Sequence, residues 1–221
     1  MEREMPEIVG LGDACCGCGA CAAKCPKRCI ELVPDGCGFP RPVVDRNACV
    51  GCGGCDSACP ALGERPKDGV KGVIWAKSRD RFVRLNSSSG GVFALLAHDV
   101  LSDGGVVVGA AWSEGYKNVG HVLVDSEVEL DSVMRSKYVQ SSVGCEIYGG
   151  VREALRADRR VLFSGTACQV AGMRAYLGKL ADSDGFLTVD VICHGAPSPL
   201  LWKKWAEYRE SRVGAPLRGV N

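Results

Sequence analysis

The 221-residue sequence predicts an α+β fold in two parts: a small cysteine-rich unit over residues 1–65, a linker at 66–72, and an α/β domain over residues 73–221. Three observations predict it. Residues 1–65 are rich in Cys, Gly and Pro and poor in large apolar side chains, so they bury little core of their own. Two cysteine runs of identical spacing make that unit an internal repeat. Beyond residue 71, apolar runs of strand length alternate with stretches of helical periodicity, the pattern of a largely parallel sheet covered by helices.

The first run is Cys15, Cys18, Cys21 and Cys25, closed by Pro26. The second is Cys49, Cys52, Cys55 and Cys59, closed by Pro60. C-x2-C-x2-C-x3-C-P is the spacing of a two-cluster 4Fe–4S ferredoxin unit, whose chemistry is one-electron transfer. A four-iron cube needs four thiolates arriving from different directions. Three come from one tight turn, and the fourth would strain that turn, so it ligates the other cluster. Cys15, Cys18, Cys21 and Cys59 are therefore expected at one cluster, and Cys49, Cys52, Cys55 and Cys25 at the other. Gly17, Gly19, Gly51, Gly53 and Gly54 suit a backbone that wraps closely and takes positive φ. The clusters would supply folding energy that the unit otherwise lacks.

Other uses of these cysteines fit less well. Disulfides need an oxidising compartment, and structural zinc joins two C-x2-C pairs rather than two runs of four. Cys16 breaks the spacing that Cys15 keeps, so it is read as non-ligating and dispensable. Replacing Cys25 is expected to damage the cluster of the second run.

With 27 Lys+Arg against 26 Asp+Glu, the formal charge of +1 leaves no footprint for nucleic acid. The start, MEREMPEIVGLGD, has no apolar core of a signal peptide. The longest apolar stretches, such as VVVGAAW, are too short for a transmembrane segment. Many cysteines without an export signal point to a reducing, cytoplasmic setting.

Taken in order, CIELV and RPVVD alternate as two short strands around the turn PDGCGFPRP. GERPKDGVKG reads as the linker and VIWAKS as a strand. VFALLAHDVLSDG is a helix stopped by Gly104 and Gly105. GVVVGAAW and HVLVDS are strands joined by a turn, and GGVREALRAD is a helix. RRVLFSG (strand), CQVAGMRAYLG (helix), FLTVDVIC (strand) and LLWKKWAEYRES (helix) complete the alternation.

Loops at the strand ends carry the candidate chemistry, because ligands of parallel sheets bind beyond the carboxyl ends of the strands. Ser87, Ser88, Ser89, Gly90 and Gly91 precede a helix, where free N–H groups attract anions; a plain serine cap reads equally well. In SGTACQ, Cys168 falls in the first turn of a helix, where the dipole lowers a thiol pKa; a small buried residue is the ordinary alternative. In DVICHGAPSP, Cys193 and His194 end a strand, and His194 is a candidate donor or proton shuttle. Two cysteines, a histidine and two helix starts are thus expected to converge. His98 and His121 have weaker claims. Arg135, Lys137 and Tyr138 form a candidate phosphate-contacting segment whose default is a solvated face.

Together, DGCGFPRP, SSSGGVFALLAHDVL, MRSKYVQSSVG, VLFSGTACQVAGMRAYL and VDVICHGAPSPLLWKKW, following the ferredoxin-type runs, resemble the coenzyme F-420 hydrogenase/dehydrogenase beta-subunit family over nearly the whole chain. The resemblance implies an iron–sulfur flavoprotein oxidoreductase with FAD beside its two 4Fe–4S clusters. Some members act on coenzyme F-420, others on different substrates, among them a chlorophyll-derivative reductase. For this chain it implies a flavin-type domain over 73–221, with Ser88, Ser89, Gly90, Gly91, Lys137, Gly165 and Thr166 as cofactor-binding residues and His194, Cys193 and Cys168 at the reacting centre. A small-molecule hydride donor or acceptor would exchange hydride with FAD, and the clusters would connect it to a partner redox protein or subunit. Cys145, Cys168 and Cys193 become candidates for an additional cluster. Members continue beyond this C-terminus, so the domain is expected to be incomplete. Two other classes remain open: a non-catalytic ferredoxin-type electron-transfer subunit, and a zinc-stabilised interaction module.

Overall fold

The computed structural model describes residues 4–63 and 69–220; part of the expected linker lies outside the described residues. In the N-terminal unit the repeat is visible as local structure. Gly19 (φ 86°) and Gly53 (φ 68°) each precede a single helical turn, α1 (Ala20–Lys24) and α2 (Gly54–Ser57), which carry the third cysteine of each run. Both turns are too short to leave a periodicity in the sequence. Gly17 and Gly51 also take positive φ, whereas Gly54 does not. Between the runs, β1 (Ile30–Pro34) pairs antiparallel with β2 (Pro40–Val44), with Ile30 opposite Val44. The Asp35 carboxylate closes their turn by accepting from the N–H groups of Cys37 and Phe39 at 2.8 and 3.0 Å.

The second part is the expected α/β arrangement with one difference. Residues 73–78 are not a strand: Val73, Ile74 and Trp75 are 82–93% exposed. The segment is tied to the domain where the Ser78 N–H donates to the Gly90 carbonyl at 2.7 Å. Apolar, β-branched composition suits a pleated surface, but it does not supply a ladder partner. After α3 (Arg81–Leu85), capped by Asp80, come α4 (Val92–Ser102), β3 (Val106–Trp112) and β4 (Val119–Val124). Then follow α5 (Glu127–Val133), α6 (Cys145–Arg156), β5 (Val161–Thr166), α7 (Ala167–Leu177), β6 (Phe186–Val191) and α8 (Pro199–Val213). The sheet order is β4-β3-β5-β6, with β3, β5 and β6 parallel and β4 antiparallel at one edge.

The two central strands are buried on both faces, as their continuous apolar runs require. Val106, Val108, Val161 and Phe163 face one core with α6 and α7, while Val107 and Leu162 face the other with α4 and α5. This is the two-residue alternation of a strand. Among the described residues no helix is long and apolar enough to cross a membrane.

The first cysteine run does not form a separate bead. Cys18, Ala20 and Ala58 are buried in the same core as Tyr148, Val151, Met173 and Tyr176 of α6 and α7. Fully buried Tyr148 donates its hydroxyl to the Cys18 carbonyl at 2.9 Å. Lys24 reaches the carbonyl of Tyr176 at 2.8 Å and lies over its ring. The approach is close enough to exclude side chains: a Cβ on Gly19 would meet the Val143 carbonyl oxygen at 2.6 Å.

Gly19→Ala tests that approach. Left-handed backbone costs an L-residue roughly 1–2 kcal/mol, and overpacking adds roughly 1–3 kcal/mol. The expected outcome is a loss of about 2–5 kcal/mol, read as a lower denaturation midpoint of anaerobically prepared protein.

Candidate functional site

The second run encloses the better-defined site. Cys49, Cys52 and Cys55 line a cavity together with Cys25, which arrives from the first run, and with Cys29, Lys27, Pro6 and Pro26. Cys25 of the first run thus shares one cavity with three cysteines of the second. Burial pushes the Cys25 thiol up, but the N–H groups of Cys29, Lys27 and Arg28 and the Cys29 thiol outweigh it, and the pKa is lowered. Three amides aimed at one sulfur are the environment that stabilises an anionic ligand.

The first run gathers differently. Burial raises the Cys21 thiol to about 12, and Cys15, Cys59 and Cys55 are the neighbouring thiols that add to the rise. Cys59 and Cys55 of the second run are thus both neighbours of Cys21. Arg41 of β2 ties down the N-terminal end of this run by donating to the Gly12 and Cys15 carbonyls at 2.8 and 2.6 Å, with Asp35 as its ionic partner at 3.0 Å. Cys18 faces α7, where a Cβ on Gly172 would meet its Sγ at 3.0 Å. Among the described residues, no three His, Cys, Asp or Glu side chains close around one point as a single ion requires. A four-iron cube is met by each thiolate at a different iron, so its ligands stand farther apart than those of one zinc ion. Cys25, Cys49, Cys52 and Cys55 around one cavity are the donor chemistry such a cube takes.

Cys16 and Cys168 meet at the junction of the two parts. The Cys168 thiol interacts with Cys16, and Cys16 in turn with Cys18, so three sulfurs run from the start of α7 to the first run. The dipole argument for Cys168 is overturned. Its pKa is raised, first by the hydrogen bond with Cys16 and then by burial, against the lowering effect of Thr166. Cys16 rises to about 12, because Cys18 and burial outweigh the hydrogen bond with Cys168. The Gln140 amide donates to the Cys16 carbonyl at 3.0 Å, and the Gln169 amide donates to the carbonyl and hydroxyl of Ser141 at 3.0 Å.

The glycine-rich loops are brought together in pairs. Gly165, next to last in β5, lies against Gln169, and the Thr166 N–H donates to Gln169 Oε1 at 3.0 Å in a capping box for α7. Ser88 accepts from the Ser136 N–H at 2.8 Å, joining the serine–glycine loop to the segment that carries Lys137. The start of α4 is capped by Gly91 at φ 82° with no side-chain hydrogen bond, so serine capping does not occur there. Ser89 lies in the same turn. Gly90 is pressed against residues 76 and 77. Lys137 folds back on the end of α5, donating to the carbonyls of Ser132, Met134 and Arg135 at 3.0, 2.5 and 3.3 Å, and burial lowers its pKa to about 8. Tyr138 is exposed.

Other expectations separate. β6 ends at Val191, so Cys193 and His194 lie past the strand on an exposed loop rather than closing it. That loop leaves the same sheet edge as the start of α7, since Thr166 pairs with Val191. Cys168, however, is paired with Cys16. Exposed Cys145 begins α6, where Arg28 and Cys25 of the N-terminal unit are among its charged neighbours. Cys145, Cys168 and Cys193 thus have three different surroundings. His98 pairs with Glu127 on the outer face at 2.6 Å. His121 is buried, stacked on Phe163 and bonded to the Ser164 carbonyl at 3.0 Å. Residues the sequence reading passed over are Cys29, Arg41, Gln140, Tyr148 and Gln169. Only Cys29, four places after Cys25, carried a signal in the sequence.

No protein-family model matches the chain, and no curated protein matches it. Among solved structures, a chain of the F420-reducing [NiFe] hydrogenase complex from Methanosarcina barkeri, studied with xenon, is similar at 20% identity with a TM-score of 0.45. The match covers 62% of this chain and 48% of that chain, so the present sequence spans about half of its length. A likeness of that size carries no inference about activity.

His121 makes stability depend on pH. Desolvation lowers its pKa in the fold, while the unfolded value is about 6.5. Below that, the unfolded chain takes up a proton that the folded chain refuses, so stability is lost as pH falls. Between about pH 7.5 and 5.5 the denaturation midpoint of the wild type should fall more steeply than that of His121→Gln.

Proposed function

We propose that this chain is the electron-carrying, flavin-binding part of an iron–sulfur oxidoreductase. Cys15, Cys18, Cys21 and Cys59 would hold one 4Fe–4S cluster, and Cys49, Cys52, Cys55 and Cys25 the other. The observation that carries the reading is the cavity in which Cys25 joins the three leading cysteines of the second run. It matches the crossed ligation of two-cluster units. Bound clusters supply one-electron transfer, and bound FAD couples that to hydride exchange with a small molecule, F-420-like or other.

The chain's own residues support an order. Cys18 packs on α7, and the sulfurs of Cys16 and Cys168 extend from it to the end of β5. The first-run site is thus the one beside the α/β domain. The second-run site has Cys52 exposed and Lys27 at its rim, which suits contact with a partner redox protein and offsets the negative charge of a thiolate-bound cluster. For the flavin, the first N–H groups of α4 have no side-chain cap and suit a pyrophosphate. Ser88 and Ser89 flank that position, Gly165 and Thr166 end the neighbouring strand, and exposed His194 is the candidate proton donor.

The alternative, a non-catalytic electron-transfer subunit, draws on a specific observation: Ser88 and Lys137 are already engaged by the protein's own backbone. Anaerobic purification with iron, sulfide and flavin analysis separates the two. Iron and sulfide with flavin are expected. Clusters without flavin would leave only the subunit reading, and colourless zinc protein would overturn both. Cys59→Ala should retain about half the iron, because only the first-run site loses a ligand. Cys16→Ala should keep the full iron content but make the first-run potential more negative, because a hydrogen bond to a ligand sulfur favours the reduced state. Redox titration followed by electron paramagnetic resonance checks both.

A further inference from the structure

Cys29 belongs to neither set of four, yet its Sγ is 3.4 Å from Cys25 Sγ and it lines the same cavity as Cys49, Cys52 and Cys55. The backbone explains the proximity. After Cys25 the chain turns back, with the Arg28 N–H donating to the Cys25 carbonyl at 3.1 Å and Arg28 itself at φ 50°. The Cys29 carbonyl is then fixed by the Asp45 N–H at 2.9 Å, where the β1–β2 hairpin closes. Both thiols are therefore presented by one tight turn that the hairpin anchors, and neither is placed there by a flexible tail.

We propose that Cys29 is a reserve ligand for the second-run cluster, able to take the coordination position of Cys25. The exchange needs movement over roughly one sulfur–sulfur contact, within reach of a χ1 change. It is redox-neutral: the Cys29 sulfur would bond to the iron as the Cys25–iron bond breaks, and the Cys29 S–H proton would pass to the departing Cys25 thiolate; where Cys25 is replaced, no ligand leaves and the proton passes to solvent. The consequence revises the simplest expectation from the spacing, that loss of Cys25 ruins this cluster.

The inference rests on the two-cluster reading, and one experiment separates their failures. Wild type, Cys25→Ala, Cys29→Ala and Cys25→Ala/Cys29→Ala are reconstituted anaerobically with iron and sulfide. Iron and sulfide per chain are measured, with electron paramagnetic resonance of the oxidised and reduced protein. About eight irons are expected in the wild type and in each single variant, the Cys25→Ala signal being altered in shape. The double variant should lose the second-run cluster or retain it as a three-iron species. Wild type without iron would overturn the two-cluster reading. A full wild type with a Cys25→Ala protein that is unfolded, half-loaded or three-iron would overturn the reserve-ligand proposal alone. Cys25→Ser, which keeps the side chain's size and polarity, is compared with Cys25→Ser/Cys29→Ala: more iron in the former supports the proposal, and equal iron in the two overturns it.

Discussion

The N-terminal unit is organised by one constraint: Cys25 of the first run is brought to the cavity lined by Cys49, Cys52 and Cys55 of the second. A turn that presents three sulfurs to one point has no strain-free way to present a fourth. The chain between the runs therefore leaves Cys25, makes the β1–β2 hairpin and returns at Cys49 close enough to share a cavity. Left-handed Gly19 and Gly53, the short helices after them and the Arg41 clasp on Cys15 all serve that return path. The unit's own core, with Ile8, Ala22 and Ile30 among the cysteines, is small. A core that small draws cohesion from the neighbour it leans on.

That neighbour is the α6–α7 side of the sheet. Tyr148 bonded to the Cys18 carbonyl, Lys24 bonded to Tyr176 and the close approach of Cys18 to Gly172 make the first run part of the larger domain's core. Removing a buried partner such as the Tyr148 hydroxyl would leave the Cys18 carbonyl unsatisfied, which typically costs about 1–3 kcal/mol. The same packing holds Cys18 in place while Cys16 and Cys168 bridge onward to the end of β5. Structural support and the line of sulfurs are thus properties of one interface. They are not separable by domain boundaries drawn from composition.

The loops of the α/β domain show how local chemistry and tertiary context divide the work. Thr166 and Gln169 cap α7 as a sequence motif would, and Pro199 with Ser198 starts α8 in the ordinary way. Lys137 has no such local rule. Its ammonium turns onto the end of α5 because three carbonyls lie there, and it is buried in consequence. Cys168 is a similar case, since the helix dipole favours a thiolate but the thiol of Cys16 and burial act more strongly.

By itself the sequence determined the two cysteine runs and nearly every strand and helix after residue 90. These follow from spacing and periodicity, which are local and regular. Only the tertiary structure decided that Cys29 joins Cys25, that Cys16 meets Cys168, and that Cys145, Cys168 and Cys193 go separate ways. It also decided that residues 73–78 have strand composition without a strand's partner. Contacts between residues far apart in the chain depend on which surfaces pack, and no short pattern encodes which thiol another will face.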